Sequence, residues 1–466
     1  MIIEEIQDAP PPESLARALR NRKGFFYLDS ARPEETGGRA FSFIGFEPFL
    51  TWRTKGDRIN VESDDFRQEV CQEPLAHLRG LMGRYRTSGR SKIPFHGGAV
   101  GYFGYEFGAR GESVFASSPD EPDIPDAQFK FYDGVIACDL TSGKTFVVAN
   151  PVANHGANVI LARMQEAVRT AAGCAVPGND TGRREGLATS EPASNLTREA
   201  YLSRVAQVKQ YIAAGDVYQV NLSQRFELAT ADDPYAIYQR LRALSPAPFG
   251  AYLDAGSFQI LSSSPELFLR IDGQGHVLTR PIKGTRPRGR TAVEDQRLSA
   301  ELLASEKDHA ELLMIVDLER NDLGRVCRYG SVQVRERHRI ETHPTVFHLV
   351  ATISGQLCAG SDVFDCLRSM LPGGSITGAP KIRAMQIIDE LEPCRRHIYT
   401  GAIGYLGFDG TCDLNLAIRT ILCHERRACY HVGGGIVADS NPENEFQETI
   451  TKGRAMRAAL LGEDLT

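Results

Sequence analysis

The chain has 466 residues, 42% of them hydrophobic and 24% charged, enough apolar material for a large core spanning two domains or one elaborate one. Its formal net charge of -6 argues against a general polyanion binder, because neutralising a phosphate backbone needs a basic excess that only short patches supply here. The ten cysteines stand singly, without a C-x-x-C pair, and there is neither a basic-then-apolar leader nor a run of about eighteen apolar residues, so a cytoplasmic protein with reduced thiols is expected, with no membrane and no nucleic acid as partner.

From the N-terminus, GFFYLDS, FSFIGF, FLTWRT and GVIACDL read as strands separated by Gly and Pro turns, and a helix is predicted around Ala157 to Ala172. Gly173 to Asn195 is rich in small and polar residues without periodicity, which predicts an exposed linker between a region 1–172 and a region 196–462. Thr197 then caps a helix whose Tyr201, Val205, Val208 and Ile212 recur at three and four residues until Gly215 stops it. Strands follow in VYQVNLSQRF, FGAYLDA, QILSSSPELFLRI and HVLTRPIKG. Long helices at Ser305 to Gly324, Pro380 to Leu391 and Asn444 to Leu461 alternate with strands in HLVATISG, TGAIGYLG and YHVGGGIVA.

Several clusters on these elements carry chemistry. In VYQVNLS, Gln219 and Asn221 share one strand face, either as an exposed polar face or as a lining. Glu311 and Glu319 lie eight residues apart near one helical face, a spacing that suits surface ion pairs and a cation site equally. LPGGSITGAPK frees the backbone at three glycines and then supplies Lys381 and Arg383, so N-H groups and cations could converge on a carboxylate or phosphate; a merely tight turn is the alternative, and the order is not that of a P-loop. Three glycines, Gly433 to Gly435, allow close approach to a strand, and Glu445, Glu448 and Lys452 recur on one helical face, which could equally be dipole and i,i+4 pairing. CHERRAC is read as a polar turn rather than a zinc site. Lys283 sits in RPIKGTRPRGR among arginines whose charge is expected to help keep its amine neutral.

The order of SSSPELF, RPIKGTRPRG, EKDHAELLMIVDLERNDLGRV, VFHLVATISG, PGGSITGAPK, YTGAIGY, LAIRT and GGGIVADSNPENEFQET resembles the chorismate-utilising enzymes. FYLDSA, FSFIGFEP and GGAVGYFGYEF resemble the N-terminal region of the anthranilate and aminodeoxychorismate synthase components I. The resemblance implies an α+β fold of two large antiparallel β-sheets packed as a sandwich with helices outside. It also implies ammonia rather than water as the nucleophile, because water-using members carry lysine at Gln219. PIKGT, in place of the PIAGT of anthranilate synthases, points to the aminodeoxychorismate synthase branch and to amination of chorismate at C4 through a covalent Lys283 intermediate, for p-aminobenzoate and folate. By the same resemblance Glu266 is the general acid/base, His348 assists the C4 hydroxyl, and Glu445 assists with ammonia. Glu311 and Glu448 hold Mg²⁺, while Gln219, Thr285, Ser375, Gly378, Tyr399, Arg419, Gly433, Gly434, Gly435 and Lys452 contact substrate. The chain has no G-x-C-x-G turn, and Cys174 falls in the linker, so a separate glutamine amidotransferase is the implied ammonia source. Leu28, Asp29 and Ser30 resemble a region where relatives bind tryptophan, or are strand-end packing. An anthranilate synthase component I and a non-catalytic protein using Arg280 to Arg290 as a basic patch are the alternatives.

Overall fold

Strands that alternate, such as Leu50–Lys55 with Leu50, Trp52 and Thr54 buried, lie where one face is less covered. Gly98–Phe103 and Ala402–Gly407 are buried at every position, which requires protein on both faces. The computed structural model describes residues 1–31, 40–89, 91–153, 155–173, 190–343 and 346–464. Among these residues the strands form two twelve-stranded sheets, antiparallel throughout.

The first sheet runs in the order Ile2–Ile6, Thr145–Ala149, Gly134–Asp139, Phe41–Gly45, Phe26–Asp29, Phe249–Asp254, Phe258–Ser264, Thr420–His424, Arg427–Ile436, Gln219–Ala229 and Ala193–Ser194, with Gly378–Ala379 also pairing to Gln219–Ala229. The second runs Ile282–Pro287, Val346–Gln356, His276–Arg280, Leu267–Ile271, Cys412–Leu416, Ala402–Gly407, Gly98–Phe103, Ala127–Tyr132, Leu50–Lys55, Arg58–Glu62 and Arg67–Cys71, with Gln333–Thr342 also on Val346–Gln356. Phe26, Phe43, Ile260 and Leu422 of the first sheet pack on Val100, Tyr102, Ile403 and Tyr405 of the second, so the sheets face each other as a sandwich.

Helices close both outer faces. Pro12–Leu19, Ala157–Gly173, Pro234–Leu244 and Pro442–Leu461 share a core with the first sheet, and Pro74–Arg84, Glu306–Gly324 and Val363–Met370 share one with the second. The expected α+β sandwich is therefore the observed fold. Among the described residues no helix is long and apolar enough to cross a membrane.

The predicted linker, including Cys174, lies largely outside the described residues. Both sheets continue across it: Phe26–Asp29 pairs with Phe249–Asp254, and Gly98–Phe103 with Ala402–Gly407. The predicted long helices stand at Ala157–Gly173, Arg198–Ala213, Glu306–Gly324, Lys381–Leu391 and Pro442–Leu461. Thr197 and Ser305 cap theirs, accepting from Ala200 N at 3.2 Å and Asp308 N at 3.3 Å. Shorter helices such as Pro12–Leu19, Pro234–Leu244 and Ala292–Leu303 were not expected from the pattern, although Pro at N1 and the Asp233 and Thr291 caps signal them. CHERRAC is a hairpin with Glu425 and Arg426 at positive φ, as a two-residue turn between twisted strands demands.

Candidate active site

Glu266 follows the strand Phe258–Ser264 and is 5% exposed. Its Oε1 accepts a 2.8 Å hydrogen bond from Ser375 Oγ, which the one-turn helix Gly374–Ile376 presents. Burial is the largest influence on this carboxyl and lifts it to about 7, against the Ser375 bond, the Lys283 charge and the N-H of Ile282.

Lys283 lies on the edge strand Ile282–Pro287, whose register against Val346–Gln356 slips between Lys283 and Thr285. Gly284 makes that bulge at φ +80, and a Cβ there would lie 2.9 Å from Leu302 Cδ1, so both the backbone conformation and the space call for glycine. Burial holds the Lys283 amine below the ordinary lysine range; Lys452 adds to this, while Glu311, Glu266 and Glu448 oppose it. The neighbouring arginines do not contribute as expected. Arg280 is paired with Glu341, Arg286 with Asp308 at 3.0 Å and Arg288 with Asp295 at 2.6 Å, so their charge is spent locally.

The same bulge sets Thr285 opposite His348, and Thr285 Oγ1 lies 3.0 Å from His348 Nδ1. Burial, then the nearby His343 and Arg419, push His348 down to about 3, so its ring is neutral near pH 7. Tyr399 stacks on His431 at 5.2 Å between centroids, and Arg396 lies 5.7 Å from the Tyr399 ring. Arg419 adopts φ 52 beside it, half-buried, and its guanidinium makes no hydrogen bond or ion pair with another described side chain.

The three glycines open the opposite wall. Gly433, Gly434 and Gly435 pair with Ser223, Leu222 and Asn221. A Cβ on Gly433 would come 3.0 Å from the Tyr399 hydroxyl, one on Gly434 3.1 Å from Glu445 Oε2, and one on Gly435 would collide with Gln219 Nε2. Gln219 is fully buried, and its amide oxygen and nitrogen both lack a hydrogen-bond partner among the described residues, a cost that a polar ligand can relieve. Asn221, two residues further along the strand, is committed to Ile376 O at 2.9 Å. Gly378 pairs with Val220 and packs against the Gln219 carbonyl.

Lys452 donates to Gly433 O at 2.9 Å and pairs with Glu448 at 2.7 Å. Burial is the largest single influence on Glu448 and would raise it, but Lys452, Lys307 and Lys283 together hold the carboxyl low. Glu445, from the same helix Pro442–Leu461, is buried and accepts the Ser440 hydroxyl at 2.6 Å, and burial raises it. Glu311, on Glu306–Gly324, pairs with Lys307 at 3.7 Å. Glu311 and Glu448 both act on Lys283, so the charges of two carboxylates from two helices meet at that amine. No three His, Cys, Asp or Glu among the described residues converge to hold a metal on their own. Two carboxylates nevertheless suit a hard divalent cation whose other positions are taken by ligand oxygens and water.

Two sequence readings are corrected. Glu319 does not share the Glu311 face: eight residues make more than two helical turns, and its Oε2 is held in the core by Thr279 Oγ1 at 2.9 Å. Lys381 and Arg383 do not form an anion cradle, since Lys381 is buried on Asp322 at 2.6 Å and Arg383 reaches Asp216 at 3.5 Å. Near the N-terminus, Asp29 is taken by Arg242, Tyr27 at 2.8 Å and Tyr238 at 3.1 Å, while Leu28 is core and the Ser30 hydroxyl is buried without a partner among the described residues. Lys307, whose charge also reaches Glu445 and Glu448, was not anticipated, although its i,i+4 spacing from Glu311 was visible.

Residues 23–458 match the family model described as chorismate binding enzyme. Aminodeoxychorismate synthase component 1 of Bacillus subtilis is 37% identical over 96% of this chain and 94% of its own, and anthranilate synthase component 1 of Pseudomonas putida is 38% identical over 99% and 95%. The crystal structure of anthranilate synthase component I from Streptococcus pneumoniae has a TM-score of 0.79 at 31% identity, covering 91% of this chain and 93% of its own. The menaquinone-specific isochorismate synthase of Escherichia coli, 18% identical with a TM-score of 0.72 over 99% and 94%, shares the fold.

Proposed function

The chain belongs to the chorismate-binding enzymes, and on that premise we propose that it replaces the C4 hydroxyl of chorismate with an amino group, giving 4-amino-4-deoxychorismate. The observation that supports this reading is that Glu266, its carboxyl lifted to about 7, accepts from the N-H of Ile282 next to Lys283, whose amine is kept below its ordinary range and whose charge acts on Glu266. In such a pair one proton can pass from amine to carboxyl, leaving a neutral nucleophile and an acid. The Lys283 amine attacks C2, both conjugated ring double bonds shift, from C1=C2 to C1=C6 and from C5=C6 to C4=C5, and the C4–O bond breaks as Glu266 protonates the departing hydroxyl. Ammonia then adds at C4, both double bonds return to their original positions, and the C2–N bond to Lys283 breaks, with Glu266 carrying the proton between nitrogen atoms. An arginine could not replace this amine, because its guanidinium stays protonated.

The other groups take roles suited to their surroundings. Neutral His348, fixed by Thr285, hydrogen-bonds the C4 hydroxyl. Arg419 and Tyr399 receive a carboxylate, and the vacant hydrogen-bonding positions of Gln219 face the incoming ammonia or the ring. Ser375 holds Glu266, Gly378 and Gly433 to Gly435 leave room for the ring, and Glu445 stands beside Glu448 to steer ammonia. Glu311 and Glu448 would hold Mg²⁺, which when bound offsets the charge of the ring carboxylate. A glutamine amidotransferase subunit would supply ammonia, since no glutaminase nucleophile turn occurs in the sequence.

Anthranilate synthase is the second reading, favoured by relatives of that name at 37 to 38% identity. The two part at the product. Purified protein with chorismate, Mg²⁺ and an ammonium salt should yield 4-amino-4-deoxychorismate on chromatography; release of pyruvate and fluorescent anthranilate would replace this reading with the second.

A further inference from the structure

A buried ion pair that the proposed chemistry leaves unused stands at the edge of the strand that carries Gln219. Glu392 is 6% exposed and Arg396 2%, just past the helix Lys381–Leu391. The guanidinium donates to both carboxylate oxygens, from Nε to Oε2 at 2.8 Å and from Nη2 to Oε1 at 2.6 Å. A pair this dry recovers its desolvation cost only when its remaining donors and lone pairs are also met. Here the backbone of two other segments meets them.

The short strand Gly378–Ala379 pairs with Gln219 and Val220, and past that point the edge of Gln219–Ala229 needs other partners. The Asn221 N-H goes to Thr377 O at 2.8 Å, the Asn221 carbonyl accepts from Arg396 Nη2 at 2.6 Å, and the Ser223 N-H donates to Glu392 Oε1 at 2.8 Å. The ion pair thus continues the ladder where the short strand stops. Arg396 Nη1 also donates to Ile376 O at 3.1 Å, the same carbonyl that Asn221 Nδ2 reaches at 2.9 Å. Ile376 ends the one-turn helix whose Ser375 donates to Glu266. One guanidinium therefore fastens the turn that holds Glu266 to the strand that bears Gln219. On the main-chain side, the N-H of Tyr399 donates to Arg396 O at 3.0 Å, so a third segment of the site starts from the same residue.

We propose that Arg396 is a positioning residue for the reaction: by holding the Ile376 and Asn221 carbonyls together it keeps the Ser375 hydroxyl on Glu266, and so fixes the direction in which Glu266 delivers its proton. This rests on the reading of Glu266 as proton donor. A lysine at this position keeps the charge and can reach Glu392, but an ammonium has no planar fork with which to span a carboxylate and two carbonyls at once.

The test is a double-mutant cycle on kcat for chorismate consumption, with saturating Mg²⁺ and ammonium, in variants that thermal unfolding shows to be folded at the assay temperature. Arg396→Lys should lower kcat by about tenfold or more while KM for chorismate moves by about threefold or less. Ser375→Ala should lower kcat comparably, and adding Arg396→Lys to it should cost about twofold or less, because the contact through which Arg396 acts is already gone. Equal losses from Arg396→Lys in the two backgrounds would overturn the proposal, as would a loss confined to KM or a wild-type kcat in Arg396→Lys. If Arg396→Lys does not fold, the paired change Glu392→Gln with Arg396→Gln, which leaves neither charge buried alone, takes its place in the cycle under the same outcomes. Glu266→Gln is measured alongside. A wild-type kcat in that variant would remove the reading of Glu266 itself, whereas equal losses in the two backgrounds with Glu266→Gln impaired would remove only the role of Arg396. Chorismate loss is counted whichever product forms, so an error in the assigned product would appear in the chromatogram without obscuring the cycle.

Discussion

Lys283 and Glu266 are best regarded as one titrating unit, because burial disfavours charge on both and their mutual attraction favours it. Lys283→Arg keeps a positive charge but removes the nucleophile, so amination should fall by about 10² or more, with no adduct on the peptide carrying residue 283 in mass spectra of chorismate-quenched enzyme. Wild-type enzyme quenched in the same way should carry it; amination by the arginine variant at the wild-type rate would reject the covalent route. Glu266 also has a stability signature. Its folded pKa is raised from 4.5 to about 7, so the folded state binds the proton more tightly and its contribution to stability is lost as pH rises through that window. The shift corresponds to about 3 kcal/mol at most. Glu266→Gln should therefore be more stable than wild type at pH 8, with the gain shrinking toward pH 5, in denaturant titrations at the two pH values. At this scale Lys283, Glu266 and His348 could be named from motifs, whereas the source of the amine's depressed basicity could not. The arginines of RPIKGTRPRGR suggested electrostatics, and only folding reveals that Glu341 and Asp308, distant in sequence, and the nearer Asp295 absorb their charge.

Elements place these side chains by small irregularities. The Gly284 bulge shifts the register after Lys283 so that Thr285 meets His348, and a Cβ there would press on Leu302 and Asp308 in the two covering helices. Gly284→Ala should cost about 1–3 kcal/mol in stability and lower kcat by more than tenfold, since both the left-handed backbone and the register would have to change. Thermal unfolding and steady-state kinetics measure the two; an alanine variant with normal kcat would show that the bulge is not needed for chemistry. Helix periodicity was legible wherever an apolar stripe ran for several turns, as in Arg198–Ala213, where Tyr201, Val205 and Val208 are buried. It failed for shorter helices such as Pro12–Leu19, Pro234–Leu244 and Ala292–Leu303, where only caps and an initial proline mark the element. It also misled for Glu319, because spacing along a helix does not say which neighbour covers which face.

In the whole molecule the candidate site draws on both sheets and on two helices. Glu311 comes from a helix on the second sheet and Glu448 from one on the first, so a cation between them would tie the two layers together. Mg²⁺ binding measured by calorimetry in the presence of chorismate should weaken by about tenfold or more in Glu311→Gln and in Glu448→Gln, with little change in thermal stability of the metal-free protein. Undiminished Mg²⁺ affinity in both variants would remove these residues as ligands.

The sequence by itself determined which residues could do chemistry and that strands would dominate, since side-chain type and local period are properties of short stretches of chain. Its ordered motifs also carried the resemblance that implied the sandwich. Tertiary structure alone decided that both sheets run unbroken from Phe26–Asp29 into Phe249–Asp254 and from Gly98–Phe103 into Ala402–Gly407. It also decided that the Gln219 amide is left without partners among the described residues while that of Asn221 is not, that Lys381 is spent on Asp322, and that Glu319 is held in the core by Thr279. The physical reason is common to all four: pairing, desolvation and electrostatic coupling depend on distances between residues far apart along the chain, and those distances come into being only when the core closes.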